Sequence, residues 1–296
     1  MKKKMLFVYN PKAGKAQIKN KLADILDVFA QADYEITIHP TQSAKEAIQV
    51  VAERKPDFDL VACSGGDGTL GEVVSGMIRS EFTTPLGYIP AGSTNDFAES
   101  LGLPKNMVNA AQTIVSGKDF ACDIGIFNKN VFVYVAAFGV FTNVSYQTGQ
   151  DMKNVLGHMA YILEGVKSLS AIRSYSMKIT YGDNVIEDDF IFGMITNSVS
   201  VGGFKRITGK HVRLDDGVFE VTLIKRPKTP KELNNIIVSL MNREFDADDM
   251  YCFRTDKLLC ESQEPIAWTL DGENGGCHTN VVIEDICKAI TIRVAE

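Results

Sequence analysis

The sequence predicts an α/β amino-terminal domain built on a mostly parallel sheet, followed by a β-rich second domain of antiparallel, sandwich-like character. Three observations support this. Strand-like and helix-like segments alternate through the first 120 or so residues. After about Cys122 the texture changes to short strand-like runs separated by turn residues. Each of the early strands runs into a turn rich in glycine or small residues, which is where ligands bind in open parallel sheets. The domains are therefore set at 1–123 and 124–296, with the last strand able to return to the first.

In chain order, Met5–Tyr9 reads as a buried strand and Lys19–Ala30 as a helix with Leu22, Ile25, Leu26 and Phe29 on one face. Tyr34–His39 is the second strand. Ser43–Ala52 follows as a helix, with Ser43 as N-cap and Glu46 three residues on. Leu60–Ala62 is the third strand, a helix starts near Leu70, and Leu86–Ile89 is the fourth strand. In the second half the strand-like runs are Ile124–Phe127, Val131–Phe138, Tyr175–Tyr181, Asp189–Asn197, Val218–Ile224 and Ala289–Val294. Helical segments near Met159–Leu169 and Pro230–Met241 interrupt them.

Composition narrows the function classes. Apolar residues make up 45% of the 296 and charged residues 23%, the balance of a globular protein. The longest nearly continuous apolar run, Val131 to Phe141, is far shorter than the roughly 20 residues that cross a bilayer. Lys2 to Lys4 before an apolar stretch imitate a signal peptide, but Asn10-Pro11 arrives too soon and no small-residue cleavage site follows. The six cysteines form no C-x-x-C pair and the four histidines are scattered, which argues against zinc and against a disulfide framework. A net charge of −6 argues against bulk attraction to nucleic acid or to anionic lipid, and no nucleic-acid partner is expected. Basic clusters at Lys2 to Lys4, at Lys205-Arg206-Lys210-Arg213 and at Lys225-Arg226-Lys228-Lys231 are solvated surface or contacts with anionic headgroups. The expected location is cytoplasmic.

The most informative stretch is Cys63-Ser64-Gly65-Gly66-Asp67-Gly68-Thr69, between a strand and a helix. Backbone N–H groups at such a turn receive phosphate, and glycines let it approach closely. A carboxylate at Asp67 repels phosphate unless a divalent cation lies between them. An ordinary strand-to-helix turn is the alternative. Asn10-Pro11-Lys12-Ala13-Gly14-Lys15 follows the first strand, as an everyday loop or one whose Lys15 reaches a phosphate. Pro90-Ala91-Gly92-Ser93-Thr94-Asn95-Asp96-Phe97 follows the fourth, its hydroxyls either capping a helix or bonding a nucleotide. Thr41 lies on the same edge. In the second half, Leu270-Asp271-Gly272-Glu273 is either a solvated hairpin turn or the source of a base that deprotonates a hydroxyl. Leu214-Asp215-Asp216-Gly217 is a plain hairpin or an oxygen-ligand Mg²⁺ site.

In this order and spacing, Asn10-Pro11…Gly14, Gly65-Gly66-Asp67-Gly68-Thr69, Pro90-x-Gly92…Asn95-Asp96-Phe97-Ala98 and Asp271-Gly272-Glu273 resemble the diacylglycerol kinase catalytic-domain family. Val201-Gly202-Gly203-Phe204 followed by Asp215-Asp216-Gly217 resembles its soluble bacterial branch. The resemblance implies a lipid kinase that uses ATP and Mg²⁺ and acts on a membrane lipid through peripheral contact at the inner membrane face; dimerisation is common in the resembled branch, which makes a homodimer one possible state. It implies that Asn10, Pro11, Lys12, Ala13, Gly14 and Lys15, with Thr41, Ser93 and Asn95, hold the nucleotide. Gly66, Asp67, Gly68, Thr69, Leu70, Gly71 and Glu72 join them, with Asp67 organising the catalytic Mg²⁺. Glu273 is then the proton acceptor, supported by Asp271, and Arg213, Asp216 and Val218 hold a structural Mg²⁺. Gly71 stands where the family often has Asn, Ser93-Thr94 stand in place of Thr-Gly, and Thr208-Gly209 replace a Pro-containing turn. The rival readings are an NAD kinase-like phosphotransferase, whose relatives share Gly-Gly-Asp-Gly-Thr, and a catalytically inactive nucleotide- or lipid-binding protein.

Overall fold

Complete burial of Met5 to Val8 puts β1 (Lys3–Tyr9) at the centre of the first unit's sheet. Parallel ladders join it to β2 (Tyr34–Pro40) on one side and β3 (Leu60–Gly65) on the other, and β4 (Leu86–Pro90) pairs with β3 in the same sense. The computed structural model describes residues 2–54, 57–81, 83–139, 163, 169, 172–198, 200–201, 204–205, 213–242 and 248–296. Two compact units emerge, Met1–Ile124 with Cys287–Glu296, and Gly125–Ile286. The last strand, which the sequence reading left able to return to the first domain, lies in the first unit, where Ile292 pairs in parallel with Leu86.

Both faces of the first sheet are apolar, because parallel strands are covered on both sides by their crossover helices. α1 (Ile18–Gln31) buries Ile18, Ile25 and Phe29, and α2 (Glu46–Ala52) packs beside α3 (Asp67–Arg79). After β4 come α4 (Asp96–Ser100), α5 (Met107–Ser116) and β5 (Lys118–Phe127), with α5 lying beside α1 and β4. The expected Ser43 cap is displaced. α2 starts only at Glu46, because that carboxylate turns back to accept the N–H groups of Gln42 (2.8 Å) and Ser43 (2.9 Å). His39 Nε2 lies 2.8 Å from its other oxygen. Conversely, α3 begins at Asp67 rather than Leu70, with extended Gly66 as its N-cap. α5 was not anticipated, although Asn106 caps it by accepting from Val108 and Asn109, and Met107, Ala110, Ala111 and Ile114 keep helical spacing.

The second unit is antiparallel. It holds β6 (Asn130–Phe132), β7 (Val135–Gly139), β8 (Tyr175–Tyr181), β9 (Asn184–Thr196), the short pair β10 (Ser200–Val201) and β11 (Phe204–Lys205), and β12 (Phe219–Lys225). α6 (Pro230–Asn242), β13 (Met250–Thr255), β14 (Lys257–Leu270) and β15 (Glu273–Val294) complete it, β15 continuing into the first unit. The hydrogen-bonded order is β13-β12-β9-β7-β14-β15, and β8 also lies between β9 and β14, pairing with other stretches of both. Trp268 anchors the core, edge-on to Phe127 (5.1 Å) and tilted against Phe138 (4.8 Å). Among the registers of the described residues, parallel pairing is confined to β1 to β4 and the Ile292–Leu86 bridge. The other described registers are antiparallel, so over the whole chain the sheet structure is not mostly parallel. The run expected as one strand over Val131–Phe138 is split into β6 and β7 at Val133 and Tyr134, where Asp271 takes the backbone N–H groups.

Most of the helix expected near Met159–Leu169, the Gly202-Gly203 and Thr208-Gly209 pairs, and Arg206 and Lys210 lie outside the described residues. No helix among the described residues is long and apolar enough to cross a membrane.

Candidate active site

Four strand ends of the first unit are stitched together by backbone hydrogen bonds. Asn10 N–H donates to the Ser64 carbonyl (2.9 Å), Ala91 N–H to the Gly65 carbonyl (2.7 Å), and Thr41 N–H to the Tyr9 carbonyl (2.9 Å). Glycine makes this packing achievable. A Cβ on Gly14, whose φ is +53°, would lie 2.3 Å from the Ala91 oxygen, and one on Gly92 would lie 2.6 Å from Gly66 Cα. Side-chain amides fix the turns further. Asn10 Oδ1 accepts from Lys12 N–H (2.9 Å) and its Nδ2 donates to Thr69 Oγ1 (3.4 Å). Asn95 closes a ring with Gly92, accepting its N–H and donating to its carbonyl, both at 2.9 Å. The outcome is a surface of backbone N–H groups and short polar side chains at the start of α3, which suits phosphate.

Asp67, the first residue of α3, sits within this arrangement. Its Oδ2 accepts from Asp96 N–H (3.3 Å), while its Oδ1 is buried with no hydrogen-bond partner among the described residues. Burial first, then the charge of nearby Asp96, pushes its pKa up to about 6, against the opposing N–H groups of Asp96, Phe97 and Asn95. A buried, unpartnered carboxylate oxygen with a raised pKa favours a cation beside it. The donor type, a hard oxygen, fits Mg²⁺.

The expected nucleotide residues divide by what they expose. Lys12, Lys15 and Ser93 are exposed, whereas Ala13 and Leu70 are buried in the core and offer only backbone. Gly68 and Gly71 lie in the first turns of α3. Glu72 points elsewhere, its carboxylate accepting from Lys45 (2.7 Å) and Ala47 (3.3 Å) and so satisfying the start of α2. Sequence reasoning missed two contributors. Tyr88, within β4, donates to the Gly65 carbonyl (3.1 Å), and Asp96, 1% exposed, supplies the charge that acts on Asp67. The Asn95-Asp96 pair beside a glycine turn was the available signal for Asp96. A cavity of about 250 Å³ opens beside the Gly92 turn, with Ser93, Thr94, Glu99 and Lys105 among its walls.

In the second unit, Asp271 and Gly272 form a two-residue hairpin turn with φ values of +50° and +83°, closed by the Leu270–Glu273 pair. Both signs are those of a type I′ turn, for which Asp-Gly is a favoured sequence. The Asp271 carboxylate is fully engaged. Its Oδ2 accepts from Val133 N–H (2.6 Å), and its Oδ1 accepts from Tyr134 (2.9 Å) and Val135 (3.0 Å). The N–H groups of Val133 and Tyr134 thereby go to the carboxylate instead of a strand partner, and at these two residues the chain between β6 and β7 leaves the sheet. Glu273 opens β15 at the hairpin tip with its side chain exposed. Of the two carboxylates, Asp271 is engaged by backbone donors and Glu273 is exposed.

The other acidic turn precedes β12. Asp216 Oδ2 pairs with Arg254 Nη2, and its Oδ1 is buried without a partner among the described residues. Arg213, through its side chain, pairs with Asp215 (3.2 Å), and Val218 directly precedes β12. Glu220 shares Arg254 (3.2 Å) and has its pKa pushed up to about 7, by burial above all. No cluster of three His, Cys, Asp or Glu side chains exists among the described residues, so a cation at Asp216 would draw its other ligands from backbone oxygens and water.

Comparison with known proteins adds the following. The model of the diacylglycerol kinase catalytic domain matches residues 4–126. The diacylglycerol kinase of Bacillus subtilis strain 168 is 32% identical over 276 residues, covering 93% of this chain and 91% of that protein. That of Staphylococcus aureus strain MRSA252 is 31% identical over 279 residues, covering 93% and 88%. A crystal structure of a diacylglycerol kinase from Bacillus anthracis strain Sterne superposes with a TM-score of 0.77 at 25% identity, covering 99% of this chain and 97% of that one.

Proposed function

The chain belongs to the diacylglycerol kinase family, and from that membership we propose that it transfers the γ-phosphoryl group of ATP to the hydroxyl of diacylglycerol or a related lipid. The observation that carries the reading is Asp67, placed at the meeting of three phosphate-suited turns with one buried oxygen left unpartnered. The N–H groups at the start of α3 and the turns at Asn10–Gly14 and Gly92–Asn95 hold the nucleotide phosphates. Mg²⁺, held through Asp67, supplies neutralisation of the phosphate charge. Glu273 orients the lipid hydroxyl and accepts its proton, and Asp271 acts as a positioning residue that fixes the hairpin carrying it. Asp216, with main-chain oxygens of Arg213 and Val218, holds a second cation of structural role. The lipid is reached by transient peripheral contact with the inner membrane face.

The test is incubation with γ-labelled ATP, Mg²⁺ and a total lipid extract, with NAD offered in parallel. A labelled lipid that comigrates with a phosphorylated diacylglycerol is expected. Label on NAD, or tight ATP binding with no labelled lipid, would sink the proposal in favour of a pyridine-nucleotide kinase or an inactive binding protein respectively.

A further inference from the structure

Directly opposite one another on β12 and β13, Glu220 and Arg254 form an ion pair (Nε–Oε1 3.2 Å), and the same guanidinium reaches Asp216 Oδ2 through Nη2. Arg254 therefore bridges two carboxylates with two different nitrogens, a planar fork that lysine cannot reproduce. The bridge leaves one oxygen over on each acid. Asp216 Oδ1 and Glu220 Oε2 are both buried and, among the described residues, without a hydrogen-bond partner, and the Glu220 side chain is 9% exposed. When both are ionised, two carboxylates facing one guanidinium retain one unit of negative charge, enough to attract a cation but not to hold one without further ligands.

From this geometry we propose that Glu220 and Arg254 are positioning residues for the cation at Asp216: Glu220 holds Arg254, and Arg254 holds the Asp216 carboxylate so that Oδ1 alone faces the ion. The proposal rests on the reading of Asp216 as a cation ligand. Neither residue need touch the ion, since outer partners act by orienting the inner one, and their loss commonly weakens metal binding by about 10–100-fold. The arrangement also gives a reason for keeping a partly buried ion pair in place of an apolar contact, because Asp216 Oδ1 is completed only when the cation is present.

The experiment is the Mg²⁺ dependence of the unfolding temperature of the nucleotide-free full chain, titrated from chelator-treated protein. The wild type should be stabilised by Mg²⁺, and Asp216→Asn should abolish that response. Arg254→Lys, at unchanged charge, and Glu220→Gln should each shift the Mg²⁺ midpoint upward by roughly tenfold or more. Circular dichroism of both variants without metal establishes that they fold, and if Arg254→Lys does not, Glu220→Gln carries the test. A wild type with no Mg²⁺ response, or a response that survives Asp216→Asn, overturns the cation reading and this proposal with it. An Asp216-dependent response whose midpoint is unchanged in a folded Arg254→Lys or Glu220→Gln overturns the proposal alone.

Discussion

Replacing Asp271 by Asn separates holding the hairpin from doing chemistry. The carboxylate accepts three backbone N–H groups, one on Oδ2 and two on Oδ1. Asn keeps an oxygen for Tyr134 and Val135 but turns an NH₂ toward the Val133 N–H, donor against donor, at a contact now only 2.6 Å long. One hydrogen bond to a charged group is lost, worth about 1.5–3 kcal/mol. The two that remain fall to the neutral class, roughly half as strong, for about another 1 kcal/mol together. The second unit should lose on the order of 3 kcal/mol, and the hairpin tip should loosen, lowering kcat as well. Urea unfolding followed by tryptophan fluorescence reads it, because Trp268 lies in the same strand, two residues before Leu270. The paired control is Glu273→Gln, which should abolish lipid phosphorylation and leave the unfolding midpoint in place. If Asp271→Asn unfolds at the wild-type urea concentration, the account of its carboxylate as the anchor of residues 133–135 is wrong.

Other expectations follow from the first unit. Burial penalises the Asp67 charge, with a folded pKa of about 6 against 3.8, so the carboxylate lowers stability as pH rises through that window. Asp67→Asn should accordingly stabilise the metal-free protein at pH 7 by about 1–3 kcal/mol in denaturant titration while abolishing lipid phosphorylation; a destabilised variant would contradict the buried-charge argument. Gly92→Ala brings a methyl group to within 2.6 Å of Gly66 Cα, backbone that cannot rotate away, and should cost about 1–3 kcal/mol and weaken ATP binding in calorimetry. Gly102→Ala, with nothing within 4 Å but a φ of +65°, should lose stability from backbone strain alone with ATP affinity intact. Glu46 runs the other way from Asp67, its pKa lowered to about 2 first by His39 and then by the Gln42 and Ser43 N–H groups. Its contribution is complete above about 4.5 and fades as pH falls toward 2, so Glu46→Gln should flatten the acid limb of the stability profile.

Much of the first unit was legible because local physics decides it. Apolar runs such as Met5–Val8 and Leu60–Cys63 read as buried strands, and the period of Ile25 and Phe29 reads as a helix face, without knowledge of neighbours. The glycine turns were equally readable, since few residues tolerate such close backbone approach. Element edges were less so. The start of α2 depends on where the Glu46 carboxylate finds donors, and β6 and β7 part where a residue 137 or more positions away takes the intervening N–H groups. β13, β14 and the first half of β15 escaped notice because charged and polar residues such as Glu261 to Glu264 interrupt their alternation.

By itself, the order of residues determined the architecture of the first unit, the phosphate-suited turns and the pairing of Asp271 with Glu273, because glycine, burial and turn chemistry act over a few residues. Tertiary structure alone decided what each carboxylate does. Asp67 is left with a bare buried oxygen, Asp271 is consumed by backbone donors, Glu72 serves another helix, and Asp216 shares an arginine with Glu220. A carboxylate's role is set by how many donors and how much water surround it, and those neighbours come from distant parts of the chain.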